Sequence, residues 1–491
     1  MMGPATAAVP PRGVGEVRRT VPAGRRVVGA VVLAVYVLVV AWNLLRREPN
    51  FDELQAWGIA RASRTPLDLV YHTAYEGRFP LWHLVLWLVQ RVSVEILALR
   101  VTSLVLAIVV ALQVLSLPQV SGRLRLLLLG TYPLLMGLVT YSRDYALTAI
   151  LALGVVGFEH ARRRLGTAVC LALLALVNLF GLMTALALTA AVGLQWCRTS
   201  LHSPRTLARV IGRLLIVLAA GLASASRIAP PEDSSLWRGE WSSFRVGDTL
   251  ATILDGWSAV LAPIGIPALG RIAGLAILTW LTVSVGRRSL PLGTAVLVLV
   301  TAATANFVWG YFAGWWHAQQ IWIGIVALVL LARSPSGSAP RRAALLGTLA
   351  LFQVVPHLTA VGDASWSRLR TSNSLVAARD LRSRCGADCT VVADTDLPTA
   401  TVLAAHLDRA VVAVNRGNAV RYASYDSEVR VATGWRGMVD ALRANEPAIG
   451  VVGNAQPEFF TIDPPEGLEI VARFDGPTAS GDAYLVVRLA E

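Results

Sequence analysis

Apolar runs broken at short intervals by arginines fill positions 27–361 of this 491-residue chain. Crossing a hydrocarbon core of about 30 Å takes roughly 20 apolar residues, and local thinning tolerates somewhat shorter runs. On that measure the pattern predicts eleven spans, near 27–45, 96–117, 126–141, 145–161, 167–179, 182–197, 214–229, 268–285, 290–310, 318–332 and 343–361. The stretch Phe79 to Val92 is apolar but only about 14 residues long, which suits a re-entrant or interfacial helix. Alternatively it crosses, and 167–197 forms one long helix. The first version is preferred because the second would export the cluster Arg162–Arg164.

After residue 362 the pattern changes to short Val and Ala runs interleaved with Asp, Asn, Gly and Arg. Residues 390–394, 410–415, 448–453 and 483–488 read as strands, and 398–408 and 435–445 have helical spacing. The expected architecture is a polytopic α-helical membrane protein with a small C-terminal α/β domain. Its parts are a tail (1–26), a transmembrane domain (27–361) and a soluble domain (362–491).

Composition agrees with a bilayer protein. Hydrophobic residues make up 55% and charged residues 15% of the chain, against roughly 25% charged in soluble proteins. The formal charge of +13 could suggest nucleic acid, but all 44 basic residues are Arg and sit in short clusters between apolar runs. Cytoplasmic loops collect such clusters, so topology explains the charge without a nucleic-acid partner. The first apolar run is about 19 residues, longer than the roughly 7–15 of a signal core. The same rule leaves 46–95, the turn Tyr141–Arg143, a Trp-rich loop over 230–260, the turn Gly314–Gln320 and the soluble domain outside the cytoplasm. There Cys385 and Cys389 form either a disulfide or two free thiols.

Candidate chemistry gathers in the first outer loop. Asn50-Phe51-Asp52-Glu53-Leu54-Gln55-Ala56-Trp57 sets two adjacent acids just beyond the first span. A carboxylate there can act as a general base toward a hydroxyl, or the pair is a solvated helix start favoured by the dipole. Arg78 and His83 close the loop, as ligands or as interfacial anchors. Arg143, between Tyr141 and Tyr145, could hold a lipid phosphate through paired hydrogen bonds, or pair locally with Asp144. Trp237, Trp241 and Trp257 could stack a sugar or anchor the interface, and Asp394-Thr395-Asp396 could bind a ligand or cap a helix. Asp52 and Glu53 leave room for a divalent cation such as Mg or Mn, but two acids without a third ligand are too few to predict one.

The order of these motifs resembles the C-type membrane glycosyltransferases (GT-C). It runs from the acid pair through Gly77-x-x-Pro80-Leu81 and Leu99-Arg100-x-x-Ser103 to Tyr141-Ser142-Arg143-x-Tyr145-Ala146-Leu147. The chain is most similar to the branch holding protein O-mannosyltransferases and the aminoarabinose transferase of lipid A. The resemblance implies inverting transfer of a sugar from a polyprenyl-phosphate donor to a glycan, lipid or protein acceptor in the cell envelope. It assigns Asp52 as base, Glu53 to shape the site, and Arg143, Arg100 and Arg78 to the donor phosphate. Tyr141, Tyr145, His83, His317 and Trp57 are further substrate candidates. The chain departs from the branch at Arg78-Phe79-Pro80, where many relatives have His-Pro-Pro, and at Trp315-Trp316-His317.

Two other classes of function fit a membrane protein with outer-face acids. A transporter of lipid-linked saccharide would place ionisable groups near the midplane and often shows duplicated halves. Here Gln113, Asn178 and Arg271 are among the few polar mid-span positions, and no halves are evident. A non-catalytic envelope assembly protein would use the spans as scaffold.

Overall fold

The computed structural model describes residues 23–47, 49–117, 120–228, 231, 246–287, 289–309, 315–332, 339–355, 373–386, 389–395, 399–423, 434–453, 464–475 and 483–490. The N-terminal two thirds form a bundle of helices: α1 (Ala23–Arg46), α2 (Phe51–Ala62), α3 (Pro66–His72), α4 (Leu81–Gln90), α5 (Ile96–Ser116), α6 (Gly122–Leu129), α7 (Tyr145–His160) and α8 (Arg164–Ala175), followed by α9 (Leu179–Ser200), α10 (Pro204–Ile228), α11 (Val246–Leu261), α12 (Pro267–Leu281), α13 (Leu290–Trp309), α14 (Trp315–Leu331) and α15 (Ala339–Phe352). Among the described residues, six helices are long and apolar enough to cross a membrane, and α4, α7, α8, α11 and α14 supply shorter apolar ones.

Which helices lie at the centre follows from their apolar pattern. Residues 317–331 of α14 are buried on every side, as expected of a helix that is hydrophobic all round. α9 packs against α8, α10, α13 and α14. The peripheral helices instead turn apolar side chains outward: Val31, Val35 and Leu38 on α1, Val101 and Val105 on α5, and Leu215, Leu218 and Leu222 on α10. Each such side chain costs about 1.5–3 kcal/mol in water, so this surface belongs in lipid. The protein is a multi-pass membrane protein.

Two expected elements differ, and one open alternative is decided. The span predicted over 126–141 is broken: α6 stops at Leu129, and Pro133–Gly137 form a π-type turn whose Leu138 N–H donates to the Pro133 carbonyl at 2.8 Å. Proline lacks the N–H that would continue the α-helical ladder. A Cβ on Gly137 would overlap the Gln319 side chain, so α14 approaches this turn closely. Asn178 caps α9 by accepting from the Gly181 N–H at 2.8 Å, so 167–197 is two helices, as in the preferred scheme. Finally, the Trp-rich stretch expected as an outer loop over 230–260 becomes α11 from Val246 onward. There Trp257 is buried edge-on against Phe307, and Asp255 pairs with Arg271 at 2.6 Å. Trp237, Trp241 and residues 356–361 of the last predicted span lie outside the described residues.

The C-terminal domain is a six-stranded sheet with helices on both faces. Its elements are α16 (Ser374–Arg384), β1 (Thr390–Ala393), α17 (Thr401–Leu407), β2 (Val411–Ala413), β3 (Asn418–Val420), α18 (Gly434–Ala444), β4 (Ala448–Gly453), β5 (Leu468–Phe474) and β6 (Tyr484–Leu489). The order is β3-β2-β1-β4-β6-β5, with β1 parallel to β2 and β4 and the other pairs antiparallel. Side chains alternate across the strands: Val391 and Val451 pack with Leu381 and Leu403, while Val392 and Val452 pack with Met438 and Leu442. Cys385 and Cys389 form a disulfide at the end of α16. The domain sits on α2: Arg61 pairs with Asp408 at 3.2 Å, and the rings of His72 and Tyr422 lie 5.4 Å apart.

Candidate active site

The site is organised by the first turn of α2. Asn50 is its N-cap: the side chain accepts from the Glu53 N–H at 3.0 Å, and Glu53 accepts from the Asn50 N–H at 2.8 Å. This reciprocal capping box satisfies two otherwise unbonded donors and commits Glu53 to the protein interior, fully buried. The same carboxylate takes the Arg47 guanidinium and the Ser142 N–H. Arg47 also donates to the Thr140 carbonyl at 2.9 Å and lies over the Tyr141 ring at 4.3 Å. Glu53 and Arg47 thus staple the start of α2 to the turn 140–142.

Asp52, one position earlier, points the other way. Its side chain remains 31% exposed and pairs with Arg143, which lies 5.4 Å from the Tyr145 ring centroid. The local Arg143–Asp144 pair weighed from the sequence does not form. Asp144 instead accepts from Asn178 at 2.8 Å and lies 4.0 Å from Arg78.

A buried polar chain runs beneath these pairs. Arg78 bonds Glu76 at 2.5 Å, Gln55 donates to Glu76 at 3.1 Å, and Asn178 and Thr148 both donate to Gln320 Oε1. Burial pushes the Glu76 carboxyl up, but Arg78 and His83 pull it down further, to about 2. For Arg78, burial and neighbouring Arg143 work against the charge, while Glu76 and Asp144 more than restore it, and its value is raised. Both stay ionised.

Several donors in this cluster have no bonded partner among the described residues: Arg47 Nε and Nη1, Arg78 Nε and Arg143 Nε, all buried. Buried polar groups in folded proteins are nearly always bonded, so three guanidiniums with donors to spare suit an anionic ligand. Both ring nitrogens of His83 are likewise buried without a hydrogen-bond partner beside Arg78 and Glu76.

The structure therefore brings together Asp52, Glu53, Arg78, His83, Tyr141, Arg143 and Tyr145. Three other predicted residues stand differently. His317 is buried with its ring stacked 4.7 Å from Phe180, and it feels the charges of Arg143 and Arg78. Trp57 is buried in the apolar cluster between α2 and α4, and its carbonyl accepts from Gln90. Arg100 donates to the Leu45 carbonyl at 3.4 Å, and its charge acts on His406 of the C-terminal domain.

Sequence reading assigned no role to Arg47, Gln55 or Glu76. The capping spacing of Asn50 and Glu53 was the one local signal that could have separated the two acids. Of the mid-span polar residues weighed for transport, Asn178 belongs to this site, Gln113 donates to the Ile150 carbonyl, and Arg271 pairs with Asp255. Among the described residues no group of three His, Cys, Asp or Glu is placed to hold a metal ion. Asp394, at the end of β1, is buried. α17 starts at Thr401, and Ala400 before it makes no side-chain cap; Asp396 lies outside the described residues.

The fold is GT-C-like. The chain is similar to ArnT from Cupriavidus metallidurans bound to undecaprenyl phosphate, with a TM-score of 0.53 and 14% identity over 95% of this chain and 98% of that one. It is similar as well to the apo state of the same protein, with a TM-score of 0.54 and 15% identity over 94% and 98%. No protein-family model and no curated protein matches the sequence.

Proposed function

We propose that this protein transfers a sugar from a polyprenyl-phosphate donor to a hydroxyl acceptor at the outer face of the membrane. The observation that supports the reading is the split between the two neighbouring acids. Glu53 is buried and bonded on all sides, whereas Asp52 is partly exposed and faces Arg143. A likeness of fold to a protein crystallised with undecaprenyl phosphate adds the donor class.

In this reading Asp52 accepts the proton of the acceptor hydroxyl as its oxygen bonds the anomeric carbon. The bond from that carbon to the carrier phosphate breaks, and its electron pair leaves on the phosphate. Attack opposite the leaving group inverts the anomeric centre. Arg143, with Arg78 behind it, offsets the charge growing on the phosphate, and the free Nε donors of both are the groups to do so. Asp52 and Glu53, each paired with an arginine, offer a divalent cation no third ligand among the described residues.

The test is release of free carrier from radiolabelled polyprenyl-phosphate sugars by purified protein in lipid, comparing wild type with Asp52→Asn. Release by wild type alone supports transfer with Asp52 as base. Equal release by both removes Asp52 from that role. No release across a panel of donors and envelope acceptors moves the protein toward lipid-saccharide transport or scaffolding.

A further inference from the structure

One turn beyond Asp52, a buried side chain of α2 holds the C-terminal domain. Gln55 Nε2 donates to the Ala423 carbonyl at 2.7 Å, and the Ala423 N–H donates back to Gln55 Oε1 at 2.9 Å. A primary amide that pairs with both backbone groups of one residue imitates a neighbouring β-strand. Its other N–H goes to Glu76 at 3.1 Å, so the amide, only 2% exposed, is bonded on every side. Glu76 in turn holds Arg78, which reaches Asp144 beside Arg143. At Gly58, a Cβ would stand 2.5 Å from the Arg421 carbonyl oxygen, so the backbone of 421–423 rests directly against α2.

We propose that Gln55 is a positioning residue that makes the C-terminal domain a working part of the active site. Docking of residues 421–423 through Gln55 holds the first turn of α2, and Asp52 with it, in register with Arg143. This inference rests on the glycosyl-transfer reading. It assigns the domain a task that acceptor or donor contact does not require: without the docked segment, donor still binds but the base is misplaced. A displacement of about 1 Å in a reacting group is enough to slow turnover on the order of 100-fold.

The experiment uses the full chain in lipid, with Gln55→Leu and Gly58→Ala, and two readouts. One is hydrogen–deuterium exchange at the Ala423 amide; the other is the split between kcat and donor KM. Both variants are expected to lose protection at Ala423 and to lower kcat about 10- to 100-fold, with donor KM little changed. Gly58→Ala leaves each side-chain bond chemically intact, so it carries the test should Gln55→Leu fail to insert. Gln55→Glu keeps the acceptor for Ala423 but loses both donors and sets a charge against Glu76, so it is expected to be the most impaired. Undiminished kcat in variants that have lost protection overturns the inference and leaves the transferase reading standing, as does protection that survives in both variants. Wild type that transfers no sugar overturns the transferase reading and the inference with it.

Discussion

Replacing Glu53 by Gln separates the structural acid from the chemical one. The substitution conserves shape but removes the charge facing Arg47, whose side chain is only 13% exposed and already holds two unbonded nitrogens. It also turns an NH2 group toward either the Asn50 N–H or the Arg47 and Ser142 donors, where only an acceptor fits. Breaking a buried ion pair from one side costs about 3–5 kcal/mol, and a lost cap costs about 0.5–2 kcal/mol. Arg47 retains the Thr140 carbonyl and the Tyr141 ring, which places the expected loss near the lower end, about 3 kcal/mol. Asp52→Asn, at a part-exposed pair, should cost about 1 kcal/mol or less. Thermal unfolding of wild type and both variants in lipid nanodiscs measures the contrast. Glu53→Gln should lower Tm clearly, and Asp52→Asn should abolish transfer while leaving Tm near wild type. A Glu53→Gln protein as stable as wild type, or less affected than Asp52→Asn, would refute the assignment of the buried acid to structure.

Two further outcomes follow from the same cluster. Arg143→Ala should raise donor KM or slow carrier release about 10- to 100-fold, the equivalent of one charge-assisted hydrogen bond of about 1.5–3 kcal/mol, read from release rates across a donor titration. Glu76 has a folded value near 2 against an ordinary 4.5, so the unfolded chain binds the extra proton between these limits. The stability lost in Glu76→Gln should therefore be constant above about pH 4.5 and shrink as pH falls toward 2, measured as the difference in unfolding between the two proteins.

Much of the architecture was legible because hydropathy is a local sum. Long apolar runs became helices, and the strand signals at 390–394, 410–415, 448–453 and 483–488 each gave a strand. Strands β3 and β5 escaped notice because both are edge strands: Asn418 and Ala419 are exposed, and Glu469 and Arg473 put polar side chains into β5. The run over 126–141 read as one span because hydropathy averages across Pro133, which the backbone cannot ignore. The reverse error occurred at 246–261, where Asp248 and Asp255 lowered the apolar signal of a helix whose other side is core.

At the site, the sequence by itself determined the ingredients: a membrane bundle, a capped helix with two acids on its first turn, and arginines at the following helix ends. The resemblance and the capping spacing of Asn50 and Glu53 set the two acids apart, but neither named their partners. Only the tertiary structure did that, by bringing Arg47 and Ser142 to Glu53 and Arg143 to Asp52. The partner of Gln55 was still less accessible, because Ala423 lies 368 residues away. Helix formation and capping depend on residues within a turn of one another. The pairing of distant polar groups depends on how the packed helices and the docked domain close upon each other, and no local pattern encodes that.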